Sequence, residues 1–210
     1  MWDWFIRGGP VMAPILLCSI LSVAIIIERS VHLARVKIDT KGFLQGIVER
    51  ITGNRMMEAS ALCEKTPGPI ARILRAGILK YDRPRAEIKE AIEEAGLHEI
   101  PALERRLPML ATIAHVAPLL GLLGTVTGLV RCFQVIQEKS TVLNPINPGD
   151  LAGGIWEALI TTVAGLVVAI PTYVAYNTLV SVVEDFVMDM ETSATELVNV
   201  LTRKGKGNDG

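Results

Sequence analysis

Charged residues are missing from three stretches of this chain, and those gaps constrain its fold more than any motif does. Gly8–Ile27 lies between Arg7 and Glu28, Leu107–Val130 between Arg106 and Arg131, and Ala158–Val183 between Glu157 and Glu184. Each gap is 20 residues or longer. An α-helix needs roughly 20 mostly apolar residues to cross ~30 Å of hydrocarbon, so three transmembrane helices are the natural count. A water-soluble fold would instead need several buried helices of about 25 residues with no polar face. Composition points the same way, with 50% hydrophobic and 20% charged residues, against ~45–50% and ~25% in soluble domains. The first apolar run ends in the charges of IIIERS, without an A-x-A cleavage site, so it reads as a retained helix and not as a signal peptide.

Orientation follows from Lys and Arg near the span ends. Arg29, Arg35, Lys37 and Lys41 follow the first span, and Lys89, Arg105 and Arg106 precede the second, whereas the other side offers Arg7, Arg131 and Lys139. The reading is therefore an all-α integral membrane protein with three transmembrane helices and long cytoplasmic helical extensions, N-terminus outside and C-terminus inside. Residues 1–9 form a periplasmic N-terminus, 10–30 the first transmembrane helix, and 31–106 a cytoplasmic helical domain. Residues 107–132 form the second span, 133–153 a periplasmic loop, 154–183 the third span, and 184–210 a cytoplasmic helix and tail.

Within the cytoplasmic part, FLQGIVERIT and NRMMEASALCEK read as short amphipathic helices around Gly53, and TPGP at Thr66–Pro69 as a turn. A further helix, PIARILRAGILKY, precedes a break at Asp82–Pro84. Apolar residues Ile88, Ile92, Ala95, Ile100, Leu103 and Leu107 then keep a helical period that runs straight into the second span, with Pro101 and Pro108 as possible kinks. Beyond the third span, Val187, Met190, Ala194, Leu197 and Leu201 continue the 3–4 spacing. This tail has two equal readings, packing on its own stalk or contacting another subunit; RKGKGNDG reads as an unstructured end.

Polar and small residues inside the spans carry the functional argument. Gly121, Gly124 and Gly128 in GLLGTVTG form a strip without side chains where another helix approaches closely. Pro118 removes one backbone bond in mid-span. Thr125, six residues before Arg131, and Thr162, five after Glu157, each lie ~8 Å inside the outer boundary, which puts both hydroxyls at one level in antiparallel neighbours. Thr161 either faces a lumen or bonds its own helix carbonyl. Glu157, near the outer end, either reaches the interface or is a polar mouth residue sharing a face with Thr161, Ala164, Val168 and Ala175. Thr162 is rotated about 140° from that face. His115, ~10 Å from the inner side, is a helix-packing histidine or a proton relay.

Several classes drop out. Cys18, Cys63 and Cys132 fall in three zones with no C-x-x-C, so neither a disulfide framework nor a metal site is expected. A net charge of −1, with acids interleaved among the bases, gives no reason to expect nucleic acid. No HExxH, paired intramembrane Asp or G-x-S-x-G with a base suggests an enzyme. No Asp or Glu sits at mid-depth in any span, so a proton carrier would have to come from a partner.

LATIAHVAPLLGLLGTVTGL in the second span and GGIWEALITTVAGLVVAIPTYVAYN in the third, supported by GGPVMAPILL and IIIERSVHL around the first, resemble the MotA/TolQ/ExbB proton-channel family, most of all its three-span ExbB-like branch. The likeness covers essentially the whole chain. It implies a pentamer in the bacterial inner membrane around a single-span ExbD-like or TolR-like partner whose membrane Asp accepts the proton. Protons would be the coupling ion, with no cofactor, and work would pass to a TonB-like protein at the periplasmic side. Carried over by position, Thr125 and Thr162 match hydroxyls that ring the partner's Asp, Glu157 the pore-lining acid, and Pro118 and Pro171 the helix-distorting prolines. His115 departs from the small or amide residue that the family pattern has in LATIAxVAP. A TolQ-like role in envelope maintenance is the near alternative, and a non-conducting membrane scaffold the alternative of another class.

Overall fold

The computed structural model describes residues 8–139 and 148–207. Arg7, most of the 1–9 segment and the centre of the 133–153 segment lie outside the described residues. Those described are helical, with no strand among them. The helices are α1 (Met12–Val36), α2 (Thr40–Thr52), α3 (Met56–Lys65), α4 (Pro69–Ile78), α5 (Arg85–Glu104), α6 (Leu107–Lys139) and α7 (Pro148–Gly207). Three apolar segments are long enough to cross a membrane, one each within Met12–Thr52, Arg85–Glu138 and Leu151–Arg203. The chain divides into two compact units. The membrane unit holds the residues up to Arg29 together with Arg106–Thr178; the helical unit holds Ser30–Arg105 together with Leu179 onward.

Local chemistry sets the helix boundaries of the helical unit. Asp39 caps α2, its side chain accepting from the Gly42 N–H at 3.3 Å, which satisfies one of the donors a helix start leaves free. Gly53 ends α2 and donates its N–H to Glu49 O. The left-handed residue of that turn is Asn54, at φ 62°, a conformation Asn tolerates better than most. Gly68 sits at φ 118° between two prolines, and a Cβ there would lie 3.0 Å from Val36 O. Pro69 then opens α4 at a position where no N–H is needed.

The helical period that leads into the second span is interrupted near one of its two expected kinks, Pro108. α5 ends at Glu104, Arg106 takes φ 68°, and α6 begins afresh at Leu107. Pro108 explains the break, because its ring would collide with the carbonyl four residues back, that of Glu104. Pro101, by contrast, is accommodated inside α5. At the other end α7 runs past Gly205 to Gly207. Its C-terminal part packs within the helical unit: Leu197 lies against Gly77, Arg85 donates to Asn199 at 3.0 Å, and Asp189 accepts from Thr40 at 2.9 Å. The tail thus makes contacts within its own chain.

Candidate functional site

Unit by unit, the polar groups that the apolar helices retain are concentrated where α6 meets α7. On α6 the approach surface is Ala117, Gly121, Gly124 and Gly128, one residue every turn. Opposite them α7 offers Gly165, Thr162, Thr161, Ala158 and Gly154. A Cβ at Gly121 would lie 3.1 Å from Thr161 O, one at Gly128 2.6 Å from Gly154 O, and one at Gly165 2.6 Å from Ala117 O; at Gly124 it would overlap the Thr161 side chain. The two backbones therefore touch, and both strips are made of small residues for that reason. The α7 half of the seam was missed in the sequence, although Gly154, Ala158, Thr161 and Gly165 repeat at the same three- to four-residue interval.

Thr161 is fully buried in this seam, its hydroxyl donating to Glu157 O and Ala158 O, both at 2.9 Å. Of its two readings, the backbone-bonded one is found. Thr162 reaches across instead, donating toward Gly121 O at 3.2 Å and sharing Ala158 O at 3.3 Å. Thr125 is partly exposed and donates to Leu122 O at 2.6 Å. A threonine whose hydrogen is committed to a carbonyl still presents an oxygen lone pair. Both can accept a proton donor, such as water or a protonated carboxyl group.

The hydroxyls of Thr125 and Thr162 do share a level, since they bond the carbonyls of the consecutive residues Leu122 and Gly121, although their backbones are offset. Thr162 stands opposite Gly121, so the backbone of Thr125 lies about one turn, or ~6 Å, farther along α6, and its side chain leans back toward Leu122. The backbones of Arg131 and Glu157 are offset too. Gly128 faces Gly154 and Ala158, which brackets Glu157, so Arg131 starts about a turn farther along α6 and reaches back with its long side chain.

That reach forms an ion pair, Arg131 Nη1 donating to Glu157 Oε2. The carboxylate is 6% exposed, while Arg131 is about half exposed. Gly9, at φ 66°, covers the other side: a Cβ there would overlap Glu157 Oε1, and that oxygen has no hydrogen-bond partner among the described residues. Part of the face that Glu157 shares is covered within the chain, because Ala164 and Val168 pack on Val11, Met12 and Ile15 near the start of α1. Arg131 was read as a boundary charge only; its pairing was visible in no spacing, since it depends on which helices are neighbours.

Pro118 and Pro171 lie inside α6 and α7, which continue through them. Near Pro171, Thr172 is buried and donates to Val168 O at 2.7 Å. His115 projects from the exposed side of α6, with Nδ1 2.7 Å from Ala111 O and its ring edge-on to Tyr173, centroids 6.3 Å apart at 88°. Among the described residues no His, Cys, Asp and Glu side chains gather as a metal site.

Comparison with known proteins converges on one family. The sequence pattern of the MotA/TolQ/ExbB proton channel family matches residues 65–192. The chain is 36% identical over 170 residues to an ExbB-like protein, ExbB-like 3, of Synechocystis sp., covering 81% of this chain and 80% of that one. It is 43% identical over 118 residues to the biopolymer transport protein ExbB of Aquifex aeolicus, covering 56% and 76%. It is 31% identical over 221 residues to the Tol-Pal system protein TolQ of Haemophilus influenzae, covering 98% and 95%. On the apolar helices, the paired small-residue strips and these matches, the chain belongs to the MotA/TolQ/ExbB proton channel family.

Proposed function

We propose that this chain is the proton-channel subunit of an inner-membrane motor of the ExbB type, built as a ring, of five copies, around the single-span helices of an ExbD-like or TolR-like protein. The observation that carries the reading is the state of Thr125 and Thr162. Both residues stay partly exposed on largely apolar helices, with their hydroxyl hydrogens engaged and a lone pair left on each oxygen. A lone pair facing a carboxylic acid favours its protonated, neutral form. The partner's membrane Asp would take up a proton from the outer side beside Thr125 and Thr162, lose its charge, and become free to move against the ring.

A proton crossing the membrane potential releases about 2.3 kcal/mol per 100 mV. The small-residue seam would keep α6 and α7 together as the fixed frame against which that energy is used. The Glu157 and Arg131 pair would set the charge at the outer mouth, and the motion would pass to a TonB-like protein. A TolQ-like envelope role would use the same chemistry with a different partner. A scaffold without conduction is the competing class.

The test is proton flux into liposomes holding this chain and its single-span partner. Thr125→Val and Thr162→Val keep shape and lose the hydroxyl. Flux should collapse in both while the complex still co-purifies. Unchanged flux in both variants removes the two hydroxyls from the pathway, absence of flux in wild type favours the scaffold, and failure to co-purify with any single-span, Asp-bearing protein removes the motor reading.

A further inference from the structure

His115 and Tyr173 fall outside the chemistry assigned above, and their placement is specific. The His115 ring is exposed on α6 beside Val116 and Leu119, which are exposed too. It lies eight residues into the helix, about 12 Å along it. An imidazole nitrogen open to hydrocarbon has nothing to bond, which makes such a position unfavourable. The exposed ring therefore marks a face turned toward water or another chain. Tyr173, half exposed, lies edge-on to that ring. Eleven residues separate Thr162 from Tyr173, three turns to within about 20°, so the two share one face of α7, with Tyr173 some 16 Å farther along.

The hydrogen bond fixes the chemistry of the ring. Ala111 O is an acceptor, so Nδ1, at 2.7 Å, must carry hydrogen. Nε2 is then the nitrogen that takes up a proton. Leu107–Val130 and Ala158–Val183 contain no Asp, Glu, Lys or Arg; His115, Tyr173 and Tyr176 are the titratable residues there. Cys18 is the titratable residue of the corresponding stretch of the first span, and the Glu28 and Arg106 ion pair stands at the end of the unit where α6 begins.

We propose that His115 is a proton-relay residue in the inner half of the channel, with Tyr173 as the positioning residue that holds its ring. The inference rests on the channel reading above. A hydronium ion or hydrated proton leaving the partner's acid gives its proton to Nε2: one O–H bond breaks as one N–H bond forms, and the ring becomes an imidazolium. The Nδ1–H bond to Ala111 O is kept in both forms of the ring. Nε2 then returns the proton to water on the inner side, so the ring ends in its starting tautomer.

The experiment is proton flux through the co-reconstituted complex, measured with a trapped pH dye as internal pH is stepped between about 5 and 8. Wild type should show an inflection in the histidine range. His115→Asn should lower flux by about tenfold or more and erase the inflection. Tyr173→Phe, which keeps the ring, should retain the profile, whereas Tyr173→Ala should shift or blunt it. Wild-type flux and profile in His115→Asn overturn the relay while leaving the channel intact. No flux in wild type overturns the channel reading, and the relay with it. If His115→Asn does not assemble, ring carbon shifts of labelled His115 in the wild-type complex decide. A titration between about pH 5 and 8 supports the relay, and a flat response overturns it.

Discussion

The two units solve opposite packing problems with the same secondary structure. In the membrane unit, Leu17, Ile20, Leu119, Leu159, Val167 and Ile170 are exposed, each at least 58%, and the buried seam is made of Gly, Ala and Thr. In the helical unit the order is reversed: Ile47, Ile51, Ile70, Ile73, Leu74, Ile78, Ile88 and Leu197 are almost wholly buried. Lipid does not drive large apolar side chains together, so helices in it associate by close backbone contact. Water does drive them together, at roughly 25 cal/mol per Å² of apolar surface. One glycine in each unit makes the point. A Cβ at Gly124 would overlap Thr161 at the backbone-locked centre of a seam, whereas one at Gly77 would meet the movable end of Ile92.

The largest expected effect comes from filling the seam. Gly124→Leu should separate α6 from α7 and remove nearly all folded protein from detergent extracts, read as loss of the monodisperse peak in size-exclusion chromatography. Alanine at both positions tests the comparison directly: Gly124→Ala should already weaken that peak, whereas Gly77→Ala in the helical unit should leave it in place. Survival of Gly124→Leu would show that the seam opens without cost. Next in size is Leu197→Ala, which removes a fully buried side chain and should lower the stability of the helical unit by about 2–5 kcal/mol. Thermal unfolding followed by labelling of buried Cys63 reads this. An unchanged midpoint would mean that α7 is not anchored there.

How much of this was legible in the sequence depended on the solvent of each unit. Charge gaps revealed the apolar helices directly, and glycine spacing on α6 revealed a close approach. The partner strip on α7 carried the same spacing yet was read for its polar residues instead. Thr161 shows why: its hydroxyl suggests a lumen, but only the register of α6 against α7 shows that Gly124 makes room for it. The Arg131 and Glu157 pair was hidden for the same reason, because arginine's length decouples where its backbone sits from where its charge acts. The break at Arg105 and Arg106 was masked by an apolar period that crosses it unbroken. Pro108 disfavours a helix through Glu104, but Pro101, Pro118 and Pro171 sit inside continuous helices, so proline alone does not locate a break.

The smallest effect concerns Cys63, whose thiol asks how dry the helical core is. It lies on α3 and is 3% exposed. Burial pushes its pKa up to about 11, with the nearby Arg75 charge opposing part of that rise. The folded state thus holds a proton that the unfolded state, with an ordinary value near 8.5, releases first. The native thiol's contribution is fully present below the unfolded value and is lost as pH rises through the folded one, so stability should fall between about pH 8.5 and 11. Lysines and tyrosines titrate in the same window, which makes the difference between two proteins the useful quantity. Cys63→Ala should melt lower at neutral pH because it leaves a small cavity, yet its midpoint should decline less steeply toward pH 11 than that of wild type. Parallel curves would mean that water reaches the thiol in the folded state, and the contrast between a water-driven core and a close-packed small-residue seam would then be weaker on the helical side.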